Sequence, residues 1–236
     1  MLTTYTKSCC RMIRPLQAPT QFLLTFIIMT LLFLTGRPAN SQDGTFALRE
    51  DDRIRGDQQA PVTLLEYSDF TCGYCEKFFK ETWPRIFSEY IETGKVRLIY
   101  RDFPRAISGP SVDTAMAARC AGEQGKYWSM HDRLFSSHQK FSVEQLQKQA
   151  ETIRLNSQQF TECFEDEKYM KSIYQDRVEG GSIGVRGTPH FILFLTHNPE
   201  AGPFLVIPGA FPYKVFQEQI EKLLEQSLMP SNSSSL

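Results

Sequence analysis

The stretch EYSDFTCGYCEKFF, residues 66–79, sets two cysteines, Cys72 and Cys75, two residues apart where the sequence changes its period. Upstream, PVTLLEY (61–67) is a β-rich run bounded by Pro61 and by the turn formers Ser68 and Asp69, and it predicts a buried strand. Downstream, Cys75, Phe78, Phe79, Ile86, Phe87, Tyr90 and Ile91 recur at steps of three and four, the apolar stripe of a long helix. Thr71 or Asp69 is placed to cap that helix. Pro84 predicts a kink near Trp83, Gly94 ends the pattern, and KVRLIYR (95–101) supplies a second strand. Strand, helix and strand in this order require a parallel pair with a right-handed crossover.

A cysteine pair at this spacing serves a metal site, a structural bridge or a redox centre. At the start of a helix, backbone N–H groups and the helix dipole favour negative charge, so the Cys72 thiolate is stabilised. One turn further in, Cys75 can reach back and close a disulfide. A low-pKa thiol beside a resolving thiol is what thiol–disulfide exchange requires. A metal site needs two further ligands. Cys120 and Cys163 form no second C-x-x-C, and His131, His138, His190 and His197 have no ligand spacing with the pair. The redox reading leads; no metal and no cofactor is expected.

The chain has 236 residues, 41% of them hydrophobic and 12% aromatic, enough for one sizeable core. A net charge of −1 gives no electrostatic case for nucleic acid. Lys7, Arg11 and Arg14 precede FLLTFIIMTLLFL (22–34), an apolar run with the length of a signal-peptide core and short of the ~20 residues of a spanning helix. Ala39 and Ser41 suit cleavage before Gln42. Residues 1–41 are therefore read as an export signal, with an uncleaved anchor as the alternative and a buried core helix as a third reading. Either leading reading puts the rest of the chain outside the cytoplasm, in a periplasmic or other extracytoplasmic space that permits disulfides. Cys9 and Cys10 precede the apolar run. The four exported cysteines, Cys72, Cys75, Cys120 and Cys163, suggest two bridges with three possible connectivities.

Residues 42–60 read as a polar linker with a short edge strand near Ile54. Residues 111–179 read as helical throughout, with helices starting at Ser111, near Gly125, at Ser142 (Gln145 completing a capping box) and at Asn156. GGSIGVRGTP (180–189) breaks this block. HFILFLT and FLVIPG follow as a hairpin, YKVFQEQIEKLLEQ (213–226) as an amphipathic helix, and residues 229–236 as a disordered tail. His131 and His138 are expected near the surface, and His190 close to the site. Asn232 begins a glycosylation triplet of the kind that arises by chance.

The run VTLLEYSDFTCGYCEKFFKETWPRIFSEYIETGKVRLIYRDFP, with AARCAGEQGKYWSMHDRLF and GVRGTPHFIL beyond it, resembles the DsbA-like branch of the thioredoxin superfamily. The similarity covers about residues 53–226. It implies an α/β, thioredoxin-like fold over 61–228 with a helical insertion at about 105–180. It implies that Cys72 is the nucleophilic, solvent-facing cysteine and Cys75 the resolving one. Glu66 matches the buried acid that assists proton transfer to the resolving thiol; a strand-end carboxylate facing solvent is the other reading. Thr188 and Pro189 match a cis-proline loop that pairs with substrate, beside Tyr74 of the intervening dipeptide. Some relatives hold a second disulfide in the helical block, which would join Cys120 and Cys163; free buried thiols, or a regulatory or electron-relaying pair, are the alternatives.

The implied activity is that of an exported protein dithiol–disulfide oxidoreductase. Its partners would be exported proteins with cysteines and a membrane redox partner. Gly73-Tyr74 departs from the Pro-His of strongly oxidising members, and Tyr74 and Thr188 resemble choices of isomerase-like relatives. Those relatives carry a separate dimerisation domain, for which 42–60 is too short, so a monomeric oxidase is expected, with a reductase or isomerase as the alternative. A further alternative is a chaperone-like binder using an apolar surface around Tyr74, Pro189 and Phe191.

Overall fold

A computed structural model describes residues 48–137, 141–199 and 204–229. The N-terminal segment to residue 47, His138 and the tail from residue 230, with Asn232, lie outside the described residues. The strands are β1 (Arg53–Arg55), β2 (Val62–Ser68), β3 (Val96–Asp102), β4 (His190–Leu195) and β5 (Leu205–Ile207). They form one sheet in the order β1-β3-β2-β4-β5. β2 and β3 are parallel, as the strand–helix–strand order requires, and β1 runs antiparallel along the outer edge of β3. β4 lies antiparallel to β2 and pairs with β5 as a hairpin.

The helix after β2 is broken. α1 (Gly73–Glu81) stops at Thr82, and α2 (Trp83–Ile86) carries Pro84 in its first turn, where a missing N–H costs nothing. A π-helical turn follows at Phe87–Ile91. The expected cap is absent: Cys72 is the N-cap of α1 and no side chain caps it. Asp69 Oδ1 accepts instead from the backbone and hydroxyl of Thr71, at 2.8 and 2.7 Å, which shapes the turn ahead of the helix.

The helical block contains α3 (Pro110–Gly122), α4 (Tyr127–Ser136), α5 (Val143–Thr152), α6 (Ser157–Glu165) and α7 (Met170–Ser182). Its first four helices begin within two residues of the starts read from the sequence, and the fifth, α7, follows a turn at Glu167 that the sequence reading did not mark. The Ser142–Gln145 capping box forms, and Asn156 caps α6 through Gln159 N. α8 (Tyr213–Ser227) closes the chain.

Strand alternation sorts the core into two sheet faces. Val62, Leu64, Leu98, Phe191 and Leu193 pack with Phe78, Ile86, Phe216 and Ile220 of α1, α2 and α8. Leu65, Tyr67, Ile99, Ile192 and Phe194 face the other way with Val185. A third cluster fills the helical block and reaches Phe70, Cys72, Cys75 and Tyr100 at the site's edge.

One end of the sheet is held by buried charges. Arg119 of α3 donates to Asp102 (2.6 Å) and Asp176 (2.5 Å). Arg101 is fully buried and bonds both oxygens of Asp52 at 2.8 Å and also Glu179. Arg49, ahead of β1, reaches Asp176 and Glu179. The stretch read as a linker is thus fastened to β3 and α7 over its described part, and its edge strand forms where expected. Cys120 of α3 and Cys163 of α6 are joined by a disulfide with a Cα–Cα distance of 5.8 Å.

Candidate active site

β2 delivers Glu66 and Ser68 to the sheet face that carries Val62 and Leu64, and α1 begins five residues after Ser68, so both cysteines return over the strand's end. Cys75 is completely buried; Cys72 keeps 8% of its surface accessible. Cys72 is less open than the resemblance implies, because the Thr188 loop lies over it: its thiol donates to the Thr188 carbonyl at 3.4 Å. The Thr188–Pro189 peptide is cis. Both sulfurs are free thiols.

The two thiols are pushed in opposite directions. Cys72 is lowered to about 5, first by the hydrogen bond from the Cys75 thiol, then by the Thr188 side chain and the N–H groups of Cys75 and Tyr74. Burial and the Thr188 carbonyl, an acceptor, oppose this; the donors prevail at a helix N-terminus. Cys75 is raised well above the usual thiol value by burial and by the neighbouring Cys72 sulfur.

Glu66 is 3% exposed and no Lys or Arg pairs with it among the described residues, which removes the solvent-facing reading. Burial pushes its carboxyl up to about 8, with the nearby Ser68 hydroxyl pulling slightly down. Its charge in turn contributes to raising Cys75. Tyr100 lies beside Glu66 in the β2–β3 register and Phe191 on the β4 side.

Beside the sulfurs, a hollow of about 620 Å³ is lined by Tyr74, Thr188 and Pro189 and closed by the Pro208–Pro212 loop. Tyr74 is 70% exposed on its rim. A second hollow of about 530 Å³ lies on the other flank, over Phe70, Thr71 and Gly73, with Arg105 at its edge.

Two expectations change. His131 is not at the surface. It sits on the inward stripe of α4 with Tyr127, Leu134 and Phe135, at 3% exposure, ringed by Phe70, Phe79, Tyr100 and Trp128. Burial lowers its basicity, and Nδ1 lies 2.9 Å from Asp132 Oδ1. Phe191 is no surface residue either: it is fully buried against Phe78 and Phe216. His190 lines the first hollow.

The structure therefore brings Cys72, Cys75, Glu66, Tyr74, Thr188 and Pro189 together, and leaves Cys120 and Cys163 bonded within the helical block. The sequence reading passed over Ser68 and the Pro208–Pro212 loop. The loop had a signal, an aromatic residue (Phe211) held among Pro and Gly just before a helix; Ser68 had none beyond strand parity with Glu66. Among the described residues no cluster of three His, Cys, Asp or Glu is placed to hold a metal, and no helix is long and apolar enough to cross a membrane.

Comparison with known proteins agrees with this geometry. The family model described as Thioredoxin matches residues 48–194. The crystal structure of Wolbachia pipientis alpha-DsbA1 superposes with a TM-score of 0.68 at 27% identity, covering 78% of this chain and 96% of that one. A putative protein-disulfide oxidoreductase of Rickettsia bellii is 23% identical over 134 residues, 55% of this chain and 51% of the relative. A protein named Na(+)/H(+) antiporter NhaA 3, from Salinispora tropica, is 32% identical over 154 residues, 65% of this chain but 23% of its own length. The chain thus spans about half or less of these two curated relatives.

Proposed function

The chain belongs to the thioredoxin family and is DsbA-like within it, and from that premise we propose that it is an exported protein dithiol–disulfide oxidoreductase working in the oxidase direction. The opposed shifts of Cys72 and Cys75 carry the reading. A reduced pair whose outer sulfur is a stable thiolate is a favoured product, so the disulfide form passes its oxidation on to other thiols.

In the proposed reaction a substrate thiolate attacks Cys72 Sγ of the Cys72–Cys75 disulfide. The S–S bond breaks, a mixed disulfide forms on Cys72, and the electron pair leaves on Cys75. Cys75 holds a proton far above neutrality, and Glu66, largely protonated at pH 7, stands by to supply it. A second substrate thiolate then attacks the substrate sulfur and releases Cys72 as thiolate. Two substrate thiols are oxidised to one disulfide, the enzyme pair takes both electrons, and Glu66 recovers its proton from water. Thr188 and Pro189 would hold the substrate as an added strand, with Tyr74 against it. The Cys120–Cys163 bridge has a structural role in this reading. The site of work would be periplasmic or otherwise extracytoplasmic, the substrates exported proteins with cysteines. Reoxidation would fall to a membrane redox partner.

The test is the reduction potential of the pair in glutathione buffers. A value nearer the ~−120 mV of strong oxidants supports the oxidase direction, and one near the ~−270 mV of thioredoxin reverses it to a reductase.

A further inference from the structure

The hollow beside Cys72 has an uneven charge. Its lining includes two full cations, Lys77 and Arg186, and no carboxylate. Lys77 meets Glu81 only at 3.9 Å, with both side chains more than half exposed. Arg186 has no carboxylate partner among the described residues. Its Nη1 donates to the carbonyls of Gly181 (2.8 Å) and Val185 (3.2 Å), which position the guanidinium without neutralising it. His190, the remaining titratable base in the lining, is kept neutral by burial. Arg105, by contrast, on the second hollow, has Asp69 Oδ2 at 3.6 Å.

Arg186 precedes Thr188 by two residues in the loop ahead of β4, and both line the hollow, so a client segment paired at Thr188 passes within a few positions of the guanidinium. We propose that this hollow selects cysteine-bearing client segments with an acidic residue within about three positions of the reacting cysteine, its carboxylate meeting Arg186 and Lys77. The proposal rests on the exchange reaction above and adds the substrate class. Tyr74, Pro208 and Phe211 complete the hollow with apolar surface for a neighbouring side chain. An acidic client also gains from timing: the oxidised pair is uncharged when the client arrives, and the Cys72 thiolate that appears later repels the departing product.

The test uses the oxidised protein and three dithiol peptides that differ only at two flanking positions, with Asp, Gln or Lys there. Each rate of reduction of the Cys72–Cys75 disulfide is divided by that peptide's own rate with a small neutral disulfide, which removes the effect of the flanking charge on thiol acidity. The Asp peptide should react about fivefold faster than the Lys peptide at about 20 mM salt, and less than about twofold faster at about 0.5 M. The preference should vanish when Arg186→Gln and Lys77→Gln are combined. Equal normalised rates in the unaltered protein, or a preference that survives the double substitution, overturn the proposal. Uncharged dithiothreitol separates the two levels: if it reduces the pair while the peptides do not differ, only the charge selection falls. If it cannot reduce the pair, the exchange reading falls with it.

Discussion

Two buried carboxyls in this molecule receive opposite treatment. Asp176 of α7 and Glu66 of β2 are both withdrawn from water, and burial raises both. Asp176 is answered by Arg119 and Arg49, and it rises only to about 6. Glu66 has no cation and rises to about 8. The fold can evidently supply arginines to a carboxylate: Arg101 and Arg119 are spent on Asp52, Asp102, Asp176 and Glu179 at one sheet end. Withholding one at Glu66 leaves a protonated acid beside a sulfur that needs a proton. One cluster pins elements together; in the proposed reaction the other would keep a proton in reserve.

The sharpest way to break this contrast is to remove a cation. Arg119→Met should cost about 3–5 kcal/mol in urea unfolding, because Asp102 and Asp176 are left buried without their shared partner. A loss under about 1 kcal/mol would mean that the paired cluster holds nothing. Next in size is Glu66→Gln. The folded carboxyl titrates near 8 against an ordinary 4.5, so its contribution to stability is full below 4.5 and lost as pH rises through 8. The substitution removes that loss. It should stabilise the protein by about 2 kcal/mol at pH 8, the remainder of the gain being offset by a buried unpaired amide, and destabilise it by about 2 kcal/mol near pH 4, where only the cost of that amide is left. Urea titrations at the two pH values decide it, and a destabilised variant at pH 8 would show Glu66 to be paired after all. The same variant should slow reduction of the pair at neutral pH. The smallest effect concerns Cys72. Its alkylation by iodoacetamide should be half-maximal near pH 5 and move by less than about 0.5 unit in Glu66→Gln. Glu66 is neutral at that pH, so the substitution changes no charge there; a larger shift would couple the two groups directly.

Much of the fold was legible because each signal was local. The change of period at Cys72, Pro84 and the Ser142–Gln145 box map onto a helix start, a helix break and a cap. Helix ends were legible where glycine supplied the left-handed residue, as at Gly94 (φ 71°). They were hidden where another residue did: α5 ends on Arg154 (φ 59°), with the Leu155 N–H returned to the Ala150 carbonyl, and Glu167 (φ 48°) stands between α6 and α7. The cysteines and the cis-proline loop were legible as motifs. Long-range pairing was not: nothing in the string ties Arg119 to Asp176, whereas His131 could have been read as inward from its helical spacing with Tyr127, Leu134 and Phe135. Burial of Glu66 was implied by resemblance, but its lack of a cation is a property of the assembled sheet.

The clamp around Arg49 and Asp52 also fixes how far the chain can be shortened from its front. A cut before Leu48 spares Arg49 and Asp52, and with them the ion pairs they make with Asp176, Glu179 and Arg101. A cut after Asp52 removes Arg49 from Asp176 and takes both Asp52 carboxylate oxygens away from the fully buried Arg101 guanidinium on β3. Those few residues, though they precede the first strand, therefore belong to the folded domain and not to a dispensable leader.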